Sequence, residues 1–213
     1  MGNLLGLKRL NVSMANVVVR SAQSLSLAEK RILIAGVAKL RGTNELVTLS
    51  AQEYAETYDV SLDTAYSQLK SAVENIFDRY MQFQTNDSKS EGVARIRWID
   101  GYKYFDDEGY VSFGFGNQIF PYLFELNQGF FTKYQLKQAA ALRSVHSWRL
   151  LELFEQMRPE KNGKKPEDGW LHLKLEEFWH AREATESYKS NFGLLREWVI
   201  EPAVAELTEK DNW

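Results

Sequence analysis

The most restrictive feature of this chain is an internal repeat. The octapeptide VTLSAQEY, residues 47–54, has the same pattern as LHLKLEEF, residues 171–178. After each octapeptide an aromatic residue, a leucine, a basic residue and a valine follow at the same spacing; these are Tyr66, Leu69, Lys70 and Val73, and Phe192, Leu195, Arg196 and Val199. A matching helical segment precedes each octapeptide, at residues 30–33 and 148–151. A repeat of this length predicts a duplicated domain built on a helix-turn-helix, so DNA binding is the first function to consider.

Two capping boxes place the first helices. Ser26 with Glu29, and Ser50 with Glu53, have the Ser-x-x-Glu spacing in which each side chain bonds the other residue's amide. They predict helices over 26–40 and from 50 to about 58, with a short strand at 47–49. Ser61 is predicted to cap a longer helix that runs to about Met81. Its predicted inward side chains are Ala65, Leu69, Ala72, Val73, Ile76 and Phe77.

Beyond this helix the apolar pattern changes to strict alternation. Residues 94–100 and 110–115 alternate as strands do, and the run DDEG at 106–109 is typical of a turn. A helix-turn-helix followed by a hairpin has the element order of a winged helix. Residues 117–126 are predicted to form one or two further helical turns, with Pro121 in the first turn.

The second unit is predicted to start near Thr132. We expect a long helix over 134–157, broken near Ser144, then a strand at 170–173 and helices at 174–181 and 188–207. Pro202 should kink or shorten the last helix. No hairpin follows it, so the second wing is expected to be missing, because the protein is naturally short or because the chain has been cut. The predicted class is α+β, with winged-helix domains at 1–130 and 131–213.

Composition limits the alternatives. The chain has no cysteine, which excludes disulfides and thiolate zinc sites. It contains no apolar run of membrane-spanning length and no signal peptide, so a soluble cytoplasmic protein is expected. The net charge of −3 counts mildly against nucleic-acid binding, but phosphate contact depends on where the cations lie.

Many short motifs, in order, resemble the plasmid replication initiators of the Rep_3 type over residues 20–210. The segments that carry the resemblance are LSLAEKRIL (25–33), YSQLK (66–70), RIRW (95–98), YFDDEG (104–109), FPYL (120–123), SWRLLEL (147–153) and residues 192–204. The resemblance implies two winged-helix domains related by a pseudo-twofold axis. It implies monomers that bind repeated origin sites, called iterons, and dimers that repress the initiator's own gene.

The family also implies a division of labour. The first domain would carry the dimer contact and auxiliary DNA contacts, and the second would supply most base contacts. Host replication proteins and chaperones would be partners, and no cofactor or membrane would be needed. The chain departs from the family pattern at its end, where a basic strand-turn-strand normally follows, and at Gly193, where a longer basic residue is expected.

A recognition helix reads the major groove with the residues of its first turns. The candidates in the second unit are Tyr188, Lys189, Ser190, Asn191 and Arg196. Asn suits adenine, and Lys or Arg suits guanine. The alternative is an ordinary solvated helix start with Ser or Asn as its cap.

The first unit offers a weaker set of contacts. Its candidates are Thr64, Ser67, Gln68, Lys70 and Ser71, beside Asp63. With one cation and one acid, this face suits phosphate contact or weak base readout, and a polar face without a ligand is equally compatible. Arg143, His146 and Arg149 lie near one helical face and are candidates to hold the DNA backbone. The alternative for Arg149 is partial burial with an acid such as Glu152.

Two other functions remain open at this point. One is a transcriptional repressor that starts no replication. The other is a metal-dependent hydrolase using His172, Glu176 and His180, whose spacing of four would align them on one helix. The spacing is not that of the zinc proteases, and the expected strand at 170–173 would move His172 off the helix. The chain also lacks a phosphate loop, a nucleophile elbow and a dinucleotide fingerprint. No enzymatic activity is expected.

Overall fold

The computed structural model describes residues 6–43, 45–87, 90–105, 108–123, 131–157, 172–182 and 186–211. Its strands are β1 (Asn11–Ala15), β2 (Leu46–Ser50), β3 (Tyr80–Asp87), β4 (Ser90–Arg97), β5 (Ile99–Phe105), β6 (Tyr110–Phe115) and β7 (Phe131–Gln135). Its helices are α1 (Asn16–Arg20), α2 (Leu27–Lys39), α3 (Ala51–Tyr58), α4 (Leu62–Phe77), α5 (Phe120–Leu123), α6 (Leu136–Ala140), α7 (Val145–Met157), α8 (Leu175–Arg182), α9 (Glu186–Ser190), α10 (Phe192–Leu195) and α11 (Glu201–Asp211). A 3₁₀ turn (Leu7–Arg9) precedes β1, and a π-helical turn (Arg196–Ile200) links α10 to α11.

The helix-turn-helix predicted for the first unit is present as α3 and α4. Both predicted capping boxes form, at Ser26 for α2 and at Ser50 for α3. The turn between α3 and α4 contains Asp59 in the left-handed conformation, with φ of 51°. The predicted cap of α4 is also confirmed, because the Ser61 side chain accepts from the Thr64 amide.

The predicted wing follows as the hairpin of β5 and β6. In this antiparallel sheet of order β2-β6-β5, Val47 lies opposite Phe113 and Tyr104 lies opposite Val111. Gly109 ends the turn with φ of +63°. A side chain there would meet the Tyr66 ring of α4, since a Cβ would lie 2.4 Å from its Cε1. Glycine therefore lets the wing approach α4 closely.

A second hairpin, β3–β4, was not predicted. α4 ends at Phe77 rather than at Met81, and β3 begins at Tyr80. The alternating segment at 94–100 was assigned to the wing, but residues up to Arg97 pair with β3 instead. The hairpin joins the N-terminal region through a bridge between Ala22 and Gln82. It therefore forms an insertion between the recognition-type helix and the wing.

Residues 131–157 pack with the N-terminal elements. β7 pairs with β1 along its whole length, so the helix predicted to begin at residue 134 is wrong for its first two residues. The break predicted near Ser144 is confirmed by the gap between α6 and α7. The Trp148 side chain of α7 is buried in the same apolar core as α2. The predicted division at 130/131 thus runs between two segments that share one sheet and one core.

The C-terminal helix predicted over 188–207 is divided. α9 ends at Ser190, Asn191 is extended, and the chain then passes through α10, the π-helical turn and α11. Pro202 has no N–H and would clash in a regular helix, and the Glu201 amide bonds the Arg196 carbonyl, five residues back, as the π turn requires. Of the expected strand at 170–173, His172 and Leu173 are irregular, and residues 170–171 lie outside the described residues.

The buried C-terminal side chains recur at intervals of four. They are Leu195, Val199, Ala203 and Leu207. In a regular α-helix this spacing drifts by about 40° per step, and the wider π turn offsets part of that drift. Ala203 and Leu207 join the main apolar core, where α11 packs on α7.

A buried ionic network joins α2 to α7. The Lys30 ammonium donates to a Glu152 carboxylate oxygen at 2.9 Å, and the Arg149 guanidinium donates to the same carboxylate at 3.1 Å. The Tyr134 hydroxyl donates to the other oxygen at 2.9 Å and accepts from the Trp148 indole. Burial is the largest influence on the pKa of Lys30 and lowers it to about 8, against the opposing effect of Glu152.

None of the helices in the described part of the chain combines the length and the apolar character needed to cross a bilayer.

Candidate nucleic-acid interface

α4 presents a polar face beside a fully apolar one. Ala65, Leu69, Ala72, Val73 and Ile76 are buried, as predicted, whereas Phe77 is exposed, contrary to prediction. Because the buried positions follow the helical period, the remaining side chains point to solvent. The exposed ones among the predicted contacts are Thr64, Ser67, Lys70 and Ser71.

Several of the predicted contact residues on α4 have partners within the protein. Gln68 is half-buried and accepts a hydrogen bond from the Tyr54 hydroxyl at 2.7 Å. The Ser71 hydroxyl donates to the Ser67 carbonyl one turn earlier. The Lys70 ammonium lies over the Tyr104 ring at 5.1 Å, which holds the cation between α4 and the wing. Gln68 therefore serves α3–α4 packing, and Lys70 is the cation best placed on this face.

The polar face of α4 is not basic. Asp63 and Glu74 are exposed on α4, and Glu108 is exposed at the turn of the wing. Carboxylates repel phosphates at close range. The exposed face of α4 therefore suits a few hydrogen bonds more than broad phosphate binding.

In the second unit a new helix, α10, begins immediately after Asn191. Its side-chain oxygen accepts from the Leu194 amide at 3.3 Å, so Asn191 is the cap of α10. Tyr188, Lys189 and Ser190 belong to the preceding short helix, α9, rather than to the first turn of one long helix. Lys189, Ser190 and Asn191 are exposed, and Tyr188 is half-buried.

Gly193 has a local explanation. A Cβ at this position would lie 3.1 Å from the Asn191 cap oxygen, which is closer than ordinary van der Waals contact. The absence of a side chain therefore leaves room for the cap. The longer basic residue expected from the family pattern would crowd it.

Arg196 is exposed on the same segment. Its Nε donates to the Glu201 carboxylate at 3.0 Å, across the π-helical turn. Both side chains are well exposed, so the pair contributes little to stability. The Arg196 guanidinium can exchange this partner at little cost for the N7 and O6 atoms of a guanine, which accept two parallel hydrogen bonds.

Three exposed apolar side chains beside Asn191 and Arg196 were not assigned from the sequence. Phe192 is 50% exposed and Trp198 is 64% exposed, and Leu194 lies between them. Exposed rings and leucines can contact the methyl group of thymine in the major groove. The internal repeat could have identified Phe192, because this residue occupies the position of Tyr66, which is also exposed.

Among the predicted backbone-binding residues, Arg149 and Arg143 use their guanidinium groups within the protein. Arg149 is 5% exposed and bonds Glu152 and the Ser21 carbonyl, so the predicted DNA contact is wrong for this residue and the alternative of burial holds. Arg143 donates to the Tyr58 carbonyl and to Asp59, and its own amide donates to the Glu206 carboxylate at 2.6 Å. It therefore connects the end of α3 to α11. His146 is exposed near the start of α7.

The metal-site alternative has little support among the described residues. His172 precedes α8 and Glu176 lies in its first turn, both exposed, while the side chain of His180 lies outside the described part. Within the described residues, no group of three or more His, Cys, Asp or Glu is arranged to hold a metal ion.

The aromatic residues in and next to the sheet are divided between the core and the surface. Trp98, Phe113 and Phe115 are buried in the core, whereas Tyr102 is exposed and Tyr104 is half-buried. The core thus takes most of the rings, and the sheet offers no continuous aromatic surface in its described strands.

Comparison with known proteins places this geometry in context. Residues 11–155 match the family model described as "Initiator Replication protein, WH1", and residues 174–213 match "Initiator Rep protein, WH2". No curated protein has a sequence that matches this chain.

Among solved structures, the Pi initiator protein in complex with iteron DNA is 21% identical, with a TM-score of 0.77 over 95% of this chain and 87% of that one. The WH1 domain of MSBI1.176, a replication protein isolated from a multiple sclerosis patient, is 28% identical, with a TM-score of 0.39 over 43% of this chain and 73% of that one. The chain thus has the fold expected from its sequence, two winged-helix domains.

Proposed function

Since the chain belongs to the family of initiator replication proteins, we propose that it starts plasmid replication by binding iterons in the origin sequence-specifically. The observation that carries this proposal is the pair of capped helix starts with exposed polar side chains, at Ser61 and at Asn191, one in each matched domain. Helices presented in this way can enter the major groove. The Pi initiator, which shares the fold, is described in complex with iteron DNA.

The second domain supplies the main base contacts. Lys189, Asn191 and Arg196 are exposed on one short segment and offer the donors that purine edges require. Phe192 adds an apolar surface between them. On α4, Thr64, Ser67 and Lys70 make auxiliary contacts, while its carboxylates limit phosphate binding.

The first domain also carries dimerisation and autorepression. We place the end of this domain after Met157, because β7 and α7 complete the sheet and the core of the N-terminal elements. The second domain then begins before α8. The dimer binds an inverted repeat at its own promoter, and the monomer binds iterons.

No reaction is assigned to the protein itself. It bends or strains an A·T-rich origin so that strands part, and host replication proteins and chaperones complete the process in the cytoplasm. Its sites need no cofactor. The second candidate is a repressor that binds the same DNA and starts no replication, and the same helix geometry supports it.

The test begins with the DNA that flanks the gene. Footprinting should show protection of direct repeats spaced by about two helical turns. Equal affinity for this DNA and for a scrambled duplex of the same length and composition would refute specific recognition. Lys189→Ala should weaken the footprint, and Lys210→Ala, an exposed substitution at the end of α11, should not.

A complementation assay distinguishes the initiator function from the repressor function. A plasmid that carries the repeats but lacks its own initiator gene should be maintained only when this protein is supplied in trans. Footprinting and promoter repression without plasmid maintenance would favour the repressor.

A further inference from the structure

Acidic residues are absent from two long stretches of this chain. Residues 1–28 and 126–151 contain none of the 29 Asp and Glu, although they contain seven of the 26 Lys and Arg. The chain as a whole has a net charge of −3. The two segments, which are far apart in sequence, therefore have a net charge of +7, and the remaining residues together have a net charge of −10.

The fold brings these two segments together. β1 and β7 pair in antiparallel register, with Ser13 opposite Lys133 and Asn11 opposite Gln135. The Leu136 amide at the start of α6 donates to the Leu10 carbonyl at 2.9 Å, next to the 3₁₀ turn. Lys137 and Arg9 are each one residue from this hydrogen bond, so they lie close to one another.

Four of the seven cations form one exposed surface. Lys133 alternates with the buried Thr132 and Tyr134, so it points to the solvent side of the β1–β7 sheet. The four exposed cations, which we call the basic face, are Lys8, Arg9, Lys133 and Lys137. Within the described part of the chain, Lys8, Arg9 and Lys137 form no ion pair.

The other three cations in these segments have different roles. Arg20 donates to Gln156, Arg143 joins α3 to α11, and Arg149 pairs with Glu152 in the core. They contribute to packing rather than to the basic face. The cations of the two segments that have none of these roles lie in the 3₁₀ turn, β7 and α6.

The basic face lies beside the junction of the two helix-turn-helix units. α6 and the 3₁₀ turn both contact α3, the first helix of the N-terminal helix-turn-helix. Shortly after α6, Arg143 reaches the end of α3 and the Glu206 side chain of α11. A duplex that engages α4 and α10 together would have to pass close to this junction.

We propose that the basic face binds the phosphodiester backbone of the duplex between the two recognition elements. The proposal rests on the proposed function and identifies residues that neither domain's recognition helix supplies. Four exposed cations on neighbouring elements neutralise phosphates and release their counterions. The contact positions the protein without reading bases. It also supplies the cations that the α4 face lacks.

The experiment measures the salt dependence of binding to a labelled duplex of scrambled sequence. The variant Lys133→Gln/Lys137→Gln should reduce the slope of log K against log[salt] by about 0.9 for each phosphate that the protein no longer neutralises, or by up to about 2 in total. The matched control Arg41→Gln/Lys210→Gln removes two exposed cations elsewhere and should keep the wild-type slope. Thermal unfolding checks that both variants fold.

An unchanged slope in the Lys133→Gln/Lys137→Gln variant would overturn the proposal. So would loss of binding to phosphatidylglycerol vesicles with an unchanged slope on DNA, because the face would then serve a membrane surface. The scrambled duplex makes this test independent of sequence recognition. Failure of the proposed function would show as equal wild-type affinity for origin and scrambled DNA, whatever the slopes.

Discussion

In the proposed function, the Asn191 side chain both caps α10 and contacts a base. Its oxygen caps α10 by accepting from the Leu194 amide, whereas bidentate contact with adenine uses both the oxygen and the amide nitrogen. The side-chain carbonyl oxygen has two lone pairs and can accept two hydrogen bonds, so capping and base contact can share it. The amide nitrogen is then the atom that distinguishes recognition from capping.

Substitution at Asn191 separates these roles. Asn191→Asp retains a cap acceptor but loses the donor, so we expect specific binding to fall by about 1–3 kcal/mol while the thermal stability of the protein stays near wild type. Asn191→Ala should lower both. The measurements are affinity for origin DNA and thermal unfolding. If Asn191→Asp binds like wild type, the residue is a cap without a base contact.

Lys30 and Glu152 form a fully buried ion pair in the core. Glu152→Gln leaves the buried Lys30 and Arg149 without their carboxylate, and we expect a loss of about 3–5 kcal/mol in the free energy of unfolding. Lys30→Met should cost clearly less, because Glu152 keeps Arg149. Chemical denaturation measures both. Equal losses would show that Arg149 does not neutralise Glu152.

The same network gives the protein a distinctive stability profile at alkaline pH. The pKa of Lys30 is lowered to about 8 in the folded state, chiefly by burial, so from pH 8 to 10 the unfolded chain holds more protons. Stability should therefore rise with pH over this interval, by at most about 1.4 kcal/mol per unit.

Above pH 10 the direction reverses. Burial is the largest cause that raises the pKa values of Tyr58 and Tyr134 well above the ordinary value, so the unfolded chain loses these protons first and stability falls. Denaturation midpoints between pH 7 and 11 measure the profile. The Lys30→Met variant should lack the rise but keep the fall, and a rise that persists in it would exclude Lys30 as the cause.

At the scale of elements, the Glu206 carboxylate of α11 helps to hold this helix against α7. Glu206 accepts from the Arg143 amide just before α7, while Ala203 and Leu207 pack into the core. Glu206→Ala should cost about 1 kcal/mol, as loss of a helix cap does, and should speed hydrogen exchange in α11. Glu209→Ala, at an exposed position paired with the adjacent Lys210, is the matched control and should leave exchange unchanged.

The sequence predicted elements with local chemical signals and missed those without them. Ser26, Ser50 and Ser61 start helices in the structure because each cap uses residues within one turn. β3 follows α4 after two residues with no glycine or proline to signal the change. The helix was therefore predicted to extend to Met81, two residues into β3.

Other errors of the sequence-based prediction arise because the partner residues are distant in the sequence. β7 forms because β1, more than 100 residues earlier, supplies its partner strand, and residues 134–135 alone favour neither structure. The burial of Arg149 depends on Glu152 in the same helix and on Ser21 far away, so only half of its environment was visible in the sequence. The break at Asn191 lies inside the helix predicted over 188–207, although an Asn cap was the alternative for this helix start.

For the whole molecule, the extent of the first domain is testable by dissection. A fragment of residues 1–157 retains β7, α7 and the ionic network, and we expect it to unfold cooperatively. A fragment of residues 1–130 loses Glu152, Tyr134 and Trp148 and should lack a cooperative transition. Circular dichroism during heating distinguishes them. Cooperative unfolding of the shorter fragment would restore the division at 130/131.

Dimerisation is also a property of the whole molecule. If the first domain carries the dimer contact, residues 1–157 alone should self-associate at high concentration, and residues 158–213 should not contribute. Sedimentation equilibrium measures the association constant. A fragment of residues 1–157 that stays monomeric at the concentration where the full chain dimerises would move the contact to the second domain.

Arg143 holds α3 by its guanidinium and α11 by its backbone amide. Together with the packing of Ala203 and Leu207 into the core, Arg143 therefore helps to fix the angle between the two helix-turn-helix units. Tolerance for an inserted base pair within a binding site should depend on how firmly this residue is held. Loosening it would give a protein that accepts a wider range of site lengths, at the expense of discrimination between them.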